Sequence, residues 1–557
     1  MDLKQLIAAQ IHIEGLSQVD IKKLITVAAN KDFGDYALPC FTFAKERRTS
    51  PVVIAQEIQK NLKENNVIEK TEIVGGYLNF FLNKQTVGGL IAQELNSENF
   101  FVDKEQEKLV CVEYASPNLA KFMHIGHYNC TILGESLARM QEFFGHKVVR
   151  INYIGDYGTP FGKMVVAYKE WGNKEEVEKG GIDEIQNLYV KFNQEQENDE
   201  RLMELARKAS KNIEEKQGED YEIYKWFISI STHKVKEVMD LLGVKFDDWR
   251  GESTYNNDLK NMVAELVEKG IAKESQGALI VDLTDANLGV VVVQRSDGGS
   301  LYITRDLVAA KDRFERYNFD EMIYITALQQ DLHFAQLFEI SKRLNRPYYG
   351  KLKHVNYGMF STPEGKIASR KGKQAVLEDI LAEAIAKAEN ILATRNMPEE
   401  RKKQIAVEIA KGAMAFSIFK VETTKDKVFD LQSAISFDGD TSPYLQYAYA
   451  RCQSLVSKSK QKAAINSNEF FANQNAFELL KQMANFKSVI KESYENQEPS
   501  YIARALLDLV KEFNSLYATT QILNGEFEAE KMLLIQGFQK TLKIGLNLLC
   551  INVIDEM

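Results

Sequence analysis

Leu109-Val110-Cys111-Val112-Glu113-Tyr114-Ala115-Ser116-Pro117-Asn118, then Lys121, then His124-Ile125-Gly126-His127: this stretch decides the fold. The apolar run from Lys108 to Tyr114 predicts a strand, and the two histidines open a helical pattern reaching about Phe144. A second β-branched run, Lys147 to Tyr153, is followed by the tight loop Gly155-Asp156-Tyr157-Gly158. Strand, helix and strand at this spacing form a βαβ unit and hence a parallel sheet. In such sheets ligands bind beyond the carboxyl ends of the strands, where Glu113, Asn118, Lys121 and the histidines fall.

His124 and His127, three residues apart, share one face of a helix N-terminus, where unpaired N–H groups and the helix dipole suit a phosphate. Gly126 removes a side chain where a flat base could approach the backbone. The bland alternative is two surface histidines at a helix start. It loses ground because a carboxylate able to hold a cation, Glu113, and a lysine able to hold phosphate, Lys121, lie beside them.

Two further constellations stand out. Lys366-Ile367-Ala368-Ser369-Arg370-Lys371-Gly372-Lys373 places four cations in a short loop that could close over a triphosphate and neutralise charge on leaving pyrophosphate. On its own it is as well read as an exposed basic loop. Tyr302-Ile303-Thr304-Arg305-Asp306, with Gln330 and His333, puts Tyr302 and Asp306 on one face if the helix starts by 302. Asp306 alone could be only a first-turn helix carboxylate.

The rest of the chain frames these motifs. At 557 residues several domains are expected. Residues 1–105 read as a separate α/β unit, with helical patterns at 17–30 and 50–65 and extended stretches at Glu72–Val74 and Tyr77–Leu82. A core at 106–375 carries an insertion at about 163–295, strongly helical to about 275 and ending in a hairpin at 278–295. A helix at about Arg305–Tyr317 and a buried strand at Met322–Thr326 follow. From 376 to 557 the pattern is helical, broken only by Pro398, Pro443 and Pro499, which predicts a helix bundle. The fold class expected is multidomain α/β, with a Rossmann-like parallel-sheet core, helical insertions, an N-terminal α/β domain and a C-terminal α-helical bundle. Cys40, Cys111, Cys130, Cys452 and Cys550 are scattered without a Cys-x-x-Cys pair, which suits a reducing cytoplasm and argues against structural zinc. No run of 18 apolar residues and no secretory signal pattern is present, so no membrane association is expected. A net charge of −9 means that any RNA-binding face must gather its cations locally.

Taken together and in order, these motifs resemble the class I aminoacyl-tRNA synthetases, and among them the arginyl-tRNA synthetases. The resemblance extends to Asn152-Tyr153-Ile154-Gly155-Asp156-Tyr157-Gly158, to Gln330-Asp331-Leu332-His333-Phe334, and to Ser436-Phe437-Asp438-Gly439-Asp440-Thr441-Ser442-Pro443-Tyr444-Leu445-Gln446-Tyr447. It implies ligation of L-arginine to tRNA(Arg) through an arginyl-adenylate, with ATP and Mg²⁺, by a cytoplasmic monomer. It also implies roles: Glu113 and Asp306 on the substrate guanidinium, Asn118 and Gln330 on its amino and carboxylate groups, and Tyr302 lining the side-chain pocket. His124, Gly126, His127 and His333 would meet ATP. Tyr77 and Asn79 would read a D-loop base, both expected on one strand face. Tyr444, Gln446, Tyr447 and Arg451 would face the anticodon, although such a stripe is equally a core stripe. The signature Lys-Met-Ser-Lys-Ser reads here Lys366-Ile367-Ala368-Ser369-Arg370, without its second lysine. Lys121, Lys371 and Arg370 compete for that role. A small nucleotidyltransferase would lack the large flanking domains, and a non-catalytic relative would be expected to have lost Glu113, Asn118, His124, His127, Asp306 or Gln330. All six are present.

Overall fold

The computed structural model describes residues 2–557 except 64, 96, 98, 99, 300, 362 and 364–375, and leaves aside the side chains of 45 and 46. The contacts divide the chain into two units. Residues 1–103 belong with 437–547 and 552–557, and residues 104–436 belong with 548–551.

The first unit opens with β1 (Thr26–Val27), β2 (Tyr36–Pro39), β3 (Ile68–Val74) and β4 (Tyr77–Leu82), an antiparallel sheet in the order β1-β2-β4-β3. Val74 pairs with Tyr77 across Gly75 and Gly76, whose φ of 55° and 89° supply the two left-handed residues that a tight hairpin needs. The helical pattern at 17–30 shortens to Gln18–Leu24, started by the Ser17 capping box, and the one at 50–65 to Pro51–Lys60. β1 and β2, of two and four residues, are too short to show a period.

The bundle of the same unit is built from Ser442–Lys458, Gln474–Asn496, Ser500–Thr519 and Glu528–Leu548. Phe513 and Phe538 stack at 4.3 Å in its core. It packs on the N-terminal domain. Phe471 leaves no room for a Cβ on Gly88, and Lys481 Nζ reaches Asp35 Oδ1 at 2.5 Å and Glu478 Oε1 at 3.0 Å. The Tyr36 hydroxyl donates to Asn485 Oδ1 at 2.9 Å.

The second unit is built on β5 (Leu109–Glu113) and β6 (Lys147–Ile151), joined by α1 (Ile125–Phe143). Its insertion contains α2 (Thr159–Trp171), four further helices ending with Gly218–Leu242, and an antiparallel sheet of β7 (Ala272–Ser275), β8 (Ala278–Asp282) and β9 (Val290–Gln294). Then come α3 (Tyr302–Tyr317), β10 (Glu321–Ala327), α4 (Asp331–Arg343) and β11 (Leu352–Tyr357). The main sheet runs β11-β10-β5-β6 and all its pairings are parallel. From β5 the chain crosses outward to β6, and from β10 it crosses outward the other way to β11. The reversal leaves a crevice at the carboxyl ends of β5 and β10, the usual ligand position in such a sheet.

One boundary and one strand differ from the sequence reading. The helices Leu377–Leu392 and Glu399–Phe419 belong to the parallel-sheet unit, so the bundle gathered with the N-terminal domain begins at 437 rather than 376. Periodicity marks a helix but not the partner its apolar face meets. The strand β11 carries no clear alternation, because Lys353, His354 and Asn356 interrupt it at the sheet edge.

Candidate active site

Glu113 closes β5 and faces Tyr324 of β10 in register, which puts its carboxylate in the crevice. It is 6% exposed, and its Oε2 lies 2.5 Å from Nη1 of Arg313. Burial pushes the Glu113 carboxyl up to about 7, against the pull of Arg313 and with a further push from Asp306.

The helix α3 starts at Tyr302, so Tyr302 and Asp306 do share a face. Tyr302 is 72% exposed and lines a cavity of about 360 Å³ with Asn118, Lys121, Gly155, Tyr157, Glu252, Arg295 and Arg305. Asp306 Oδ2 is held by His333 Nε2 at 2.6 Å, a pairing the sequence did not suggest. Asn118 lies directly on Gly155, where any Cβ would strike its side-chain oxygen, and Leu119 N–H donates to the Gly155 carbonyl at 3.0 Å. The glycine of the Gly155–Gly158 loop is thus needed to seat Asn118. Gln330 is exposed at the start of α4.

Sequence reasoning missed Glu252. It stands in the short helix Glu252–Tyr255, lines the same cavity, and has its carboxyl pushed up to about 7 by burial, then by Asp306. Only its neighbours in space reveal it; in sequence it is one acid among many.

The histidines cap α1 reciprocally. His124 is the N-cap residue; its Nδ1 accepts from Gly126 N–H at 3.1 Å, and His127 Nδ1 accepts from His124 N–H at 3.1 Å. The rings stack at 3.8 Å between centroids. With Nδ1 accepting, the proton of each neutral ring sits on Nε2 and is free to donate. Burial lowers both, His127 to about 3 with His124 and Lys121 adding to it, so the pair acts as neutral donors rather than as cations. A Cβ on Gly126 would stand 2.9 Å from His124 Cε1. The glycine therefore makes room for the ring that caps the helix, whatever it also does for a ligand.

Lys121 is exposed at the cavity. Lys366, Arg370 and Lys371 lie outside the described residues. Val376 bridges to His124, and Leu377 N–H donates to the Met123 carbonyl at 2.9 Å, which ties the start of the helix Leu377–Leu392 to the histidine segment.

In the other unit, Tyr77 is 43% exposed and meets Phe41 edge-on at 5.1 Å. Asn79, two residues on along β4, is only 4% exposed, because the strand lies inside its sheet and is covered from Leu78 onward. On Ser442–Lys458, Gln446 is fully buried and donates to the Asn552 carbonyl at 2.9 Å, so it ties down the C-terminal segment and cannot meet an anticodon. Tyr444 and Tyr447 are partly exposed. Arg451 is also partly exposed, and its guanidinium lies over Tyr447 and Tyr517 at 4.9 and 4.7 Å.

Comparison with known proteins places the chain in a family. The family described as tRNA synthetases class I (R), catalytic domain, matches residues 90–431; the arginyl tRNA synthetase N terminal domain matches 1–82, and the DALR anticodon binding domain 445–557. An arginine--tRNA ligase of Halothermothrix orenii is 36% identical over 551 residues, covering 98% of this chain and 97% of its own. One from Clostridioides difficile is 37% identical with the same coverage. The arginyl-tRNA synthetase structure from Thermus thermophilus superposes with a TM-score of 0.81 at 26% identity, covering 96% of each chain. The reciprocal histidine cap and the acidic crevice are therefore features of a member of a known family: the chain belongs to the class I arginyl-tRNA synthetases.

Proposed function

We propose that the acidic crevice takes the guanidinium of arginine and that the histidine cap takes ATP. The chain is an arginine–tRNA ligase, and the general class I route runs through an aminoacyl-adenylate. One observation carries the assignment of sites. Glu113 and Glu252 both have their proton affinity raised by burial and by the nearby Asp306 carboxylate, which gathers three acids at the same sheet end as a neutral histidine pair on a helix N-terminus. A planar fork of donors suits opposed carboxylates, whereas lysine offers a point charge.

In this reading Asp306 and Glu113 hold the guanidinium and Tyr302 covers the side chain. Asn118 and Gln330 orient the amino and carboxylate groups, with Glu252 adding negative charge near the ammonium. His124 and His127 donate from Nε2 to phosphate oxygens, Gly126 and His333 lie beside the nucleotide, and Lys121, Lys366 and Lys371 balance the triphosphate. The arginine carboxylate oxygen attacks the α-phosphorus as the bond to pyrophosphate breaks. The terminal ribose hydroxyl of tRNA then takes the arginyl group and AMP leaves. No covalent enzyme intermediate is required, so positioning and electrostatics do most of the catalysis. Mg²⁺ would arrive with the triphosphate as part of the substrate. The N-terminal domain would present Tyr77 to the tRNA and the bundle Tyr444, Tyr447 and Arg451. A cytoplasmic monomer completes the proposal.

The test is arginine-dependent ATP–pyrophosphate exchange, with and without tRNA and with lysine as control, on wild type and Asp306→Asn. Exchange with arginine and not lysine is expected, and the variant should raise the KM for arginine by about tenfold or more, as loss of a charged partner does, with the KM for ATP unchanged. An unaltered KM for arginine would remove Asp306 from the pocket. A wild type that binds tRNA but gives no exchange would overturn the catalytic reading.

A further inference from the structure

We propose that Arg313 is a positioning residue for arginine recognition, an internal guanidinium that keeps Glu113 ionised on the floor of the substrate pocket. The proposal rests on the reading that Glu113 binds the substrate guanidinium.

Arg313 is 2% exposed and is among the largest fully buried side chains. Its Nη1 lies 2.5 Å from Glu113 Oε2, and its guanidinium lies over the rings of Tyr153 and Tyr324, at 4.8 and 5.8 Å. Nε and Nη2 find no hydrogen-bond acceptor among the described residues. The aromatic faces are their neighbours instead, and Glu113 is the carboxylate this cation serves. Arg313 stands seven residues after Asp306 on α3, two turns on and roughly 10 Å along the same face. One helix thus delivers a substrate carboxylate at its start and the counter-ion of the other carboxylate at its middle.

Without that cation the balance at Glu113 is one-sided. Asp306 on the same helix, Asp248 ahead of the helix Glu252–Tyr255, and Glu252 itself are carboxylates facing it, and Cys130 of α1 and the hydroxyls of Tyr153 and Tyr324 add no positive charge. Burial, Asp306 and Asp248 favour the protonated form, and Arg313 opposes them. A neutral Glu113 would present a pocket short of one charge to a cationic substrate. The tight pairing has a second effect: a carboxylate fixed on one oxygen cannot swing to meet a smaller or differently shaped cation, which favours a planar guanidinium over an ammonium.

A merely structural ion pair between α3 and β5 would also be costly to break, so the test reads pH rather than loss of activity. Arginine KM is measured by pyrophosphate exchange, at saturating ATP and tRNA, across neutral to alkaline pH for wild type, Arg313→Lys, Arg313→Gln and Glu113→Gln. Arg313→Gln should raise the KM for arginine by about tenfold or more near neutrality and lose most of that penalty by about pH 9, as Glu113 ionises without help. Arg313→Lys keeps a cation without the planar fork and should recover most of that loss near neutrality. It also carries the test if Arg313→Gln does not fold: a strong, pH-independent rise in KM in Arg313→Lys would overturn the proposal. So would a penalty in Arg313→Gln that is equal at every pH, or a fall in kcat with arginine KM unchanged. Glu113→Gln should raise the KM for arginine with no pH relief. A wild-type KM in that variant would show instead that Glu113 itself has been misassigned.

Discussion

At the residue scale, the carboxyls of the crevice set how the enzyme answers to acid. Glu113 and Glu252 are both pushed up to about 7, by burial first. Both lose their charge as pH falls through that value, while the guanidinium of arginine stays protonated. The KM for arginine is therefore expected to rise several-fold between about pH 8 and pH 6, with the KM for ATP much flatter, because His127 is neutral down to about 3. Steady-state kinetics over that range checks it; a flat arginine profile would mean that neither carboxyl titrates where its burial places it.

At the element scale, the N-terminus of α1 is a device made of two side chains and a missing one. His124 and His127 each satisfy a backbone N–H that the helix start leaves open, and Gly126 leaves space for the first ring. Gly126→Ala pushes a Cβ against that ring and should slow arginine-adenylate formation by at least about tenfold, a loss of roughly 1.4 kcal/mol in the transition state, while arginine KM holds. Single-turnover activation assays would show it, and a wild-type rate would mean that the ring can move aside. How much of this was legible beforehand varied with distance along the chain. The βαβ unit, the place of the two histidines at a helix start and the acid at the end of β5 all lie within one local stretch, and pattern and spacing revealed them; that the rings cap the helix reciprocally did not show. The pairing of Asp306 with His333, of Glu113 with Arg313, and the place of Glu252 in the cavity each join residues from separate elements, which periodicity does not link. β11 escaped because its polar residues suit a sheet edge, and Gln446 was misread because a stripe of polar and aromatic residues looks alike whether it faces solvent or the next segment of chain.

At the scale of the whole molecule, the N-terminal domain and the bundle are one compact unit, although the catalytic domain separates them in sequence. Lys481, Asp35 and Glu478 form a charged knot whose side chains are 9%, 11% and 4% exposed. Lys481→Met would leave Asp35 with the Leu82 N–H and Glu478 with Lys31 and Gln474, and loss of one partner from such groups costs about 1–3 kcal/mol. Urea unfolding followed by far-ultraviolet circular dichroism should show the unit of 1–103 and 437–547 melting earlier, with pyrophosphate exchange retained until the second unit also unfolds. A transition unchanged in midpoint would mean that water reaches the knot and screens it.

The same discontinuous unit bears on how the polypeptide is made. Roughly 330 residues separate Asp103 from Phe437. At bacterial or slower elongation rates of about 5–20 residues per second, the N-terminal sheet waits roughly 15–70 s after leaving the ribosome before its helical partner is synthesised. Throughout that interval Gly88, Asp35 and Tyr36 stand open on a surface that will later be interior. Nascent chains arrested before Phe437 should accordingly be held by chaperones, and should let them go once the last helices emerge.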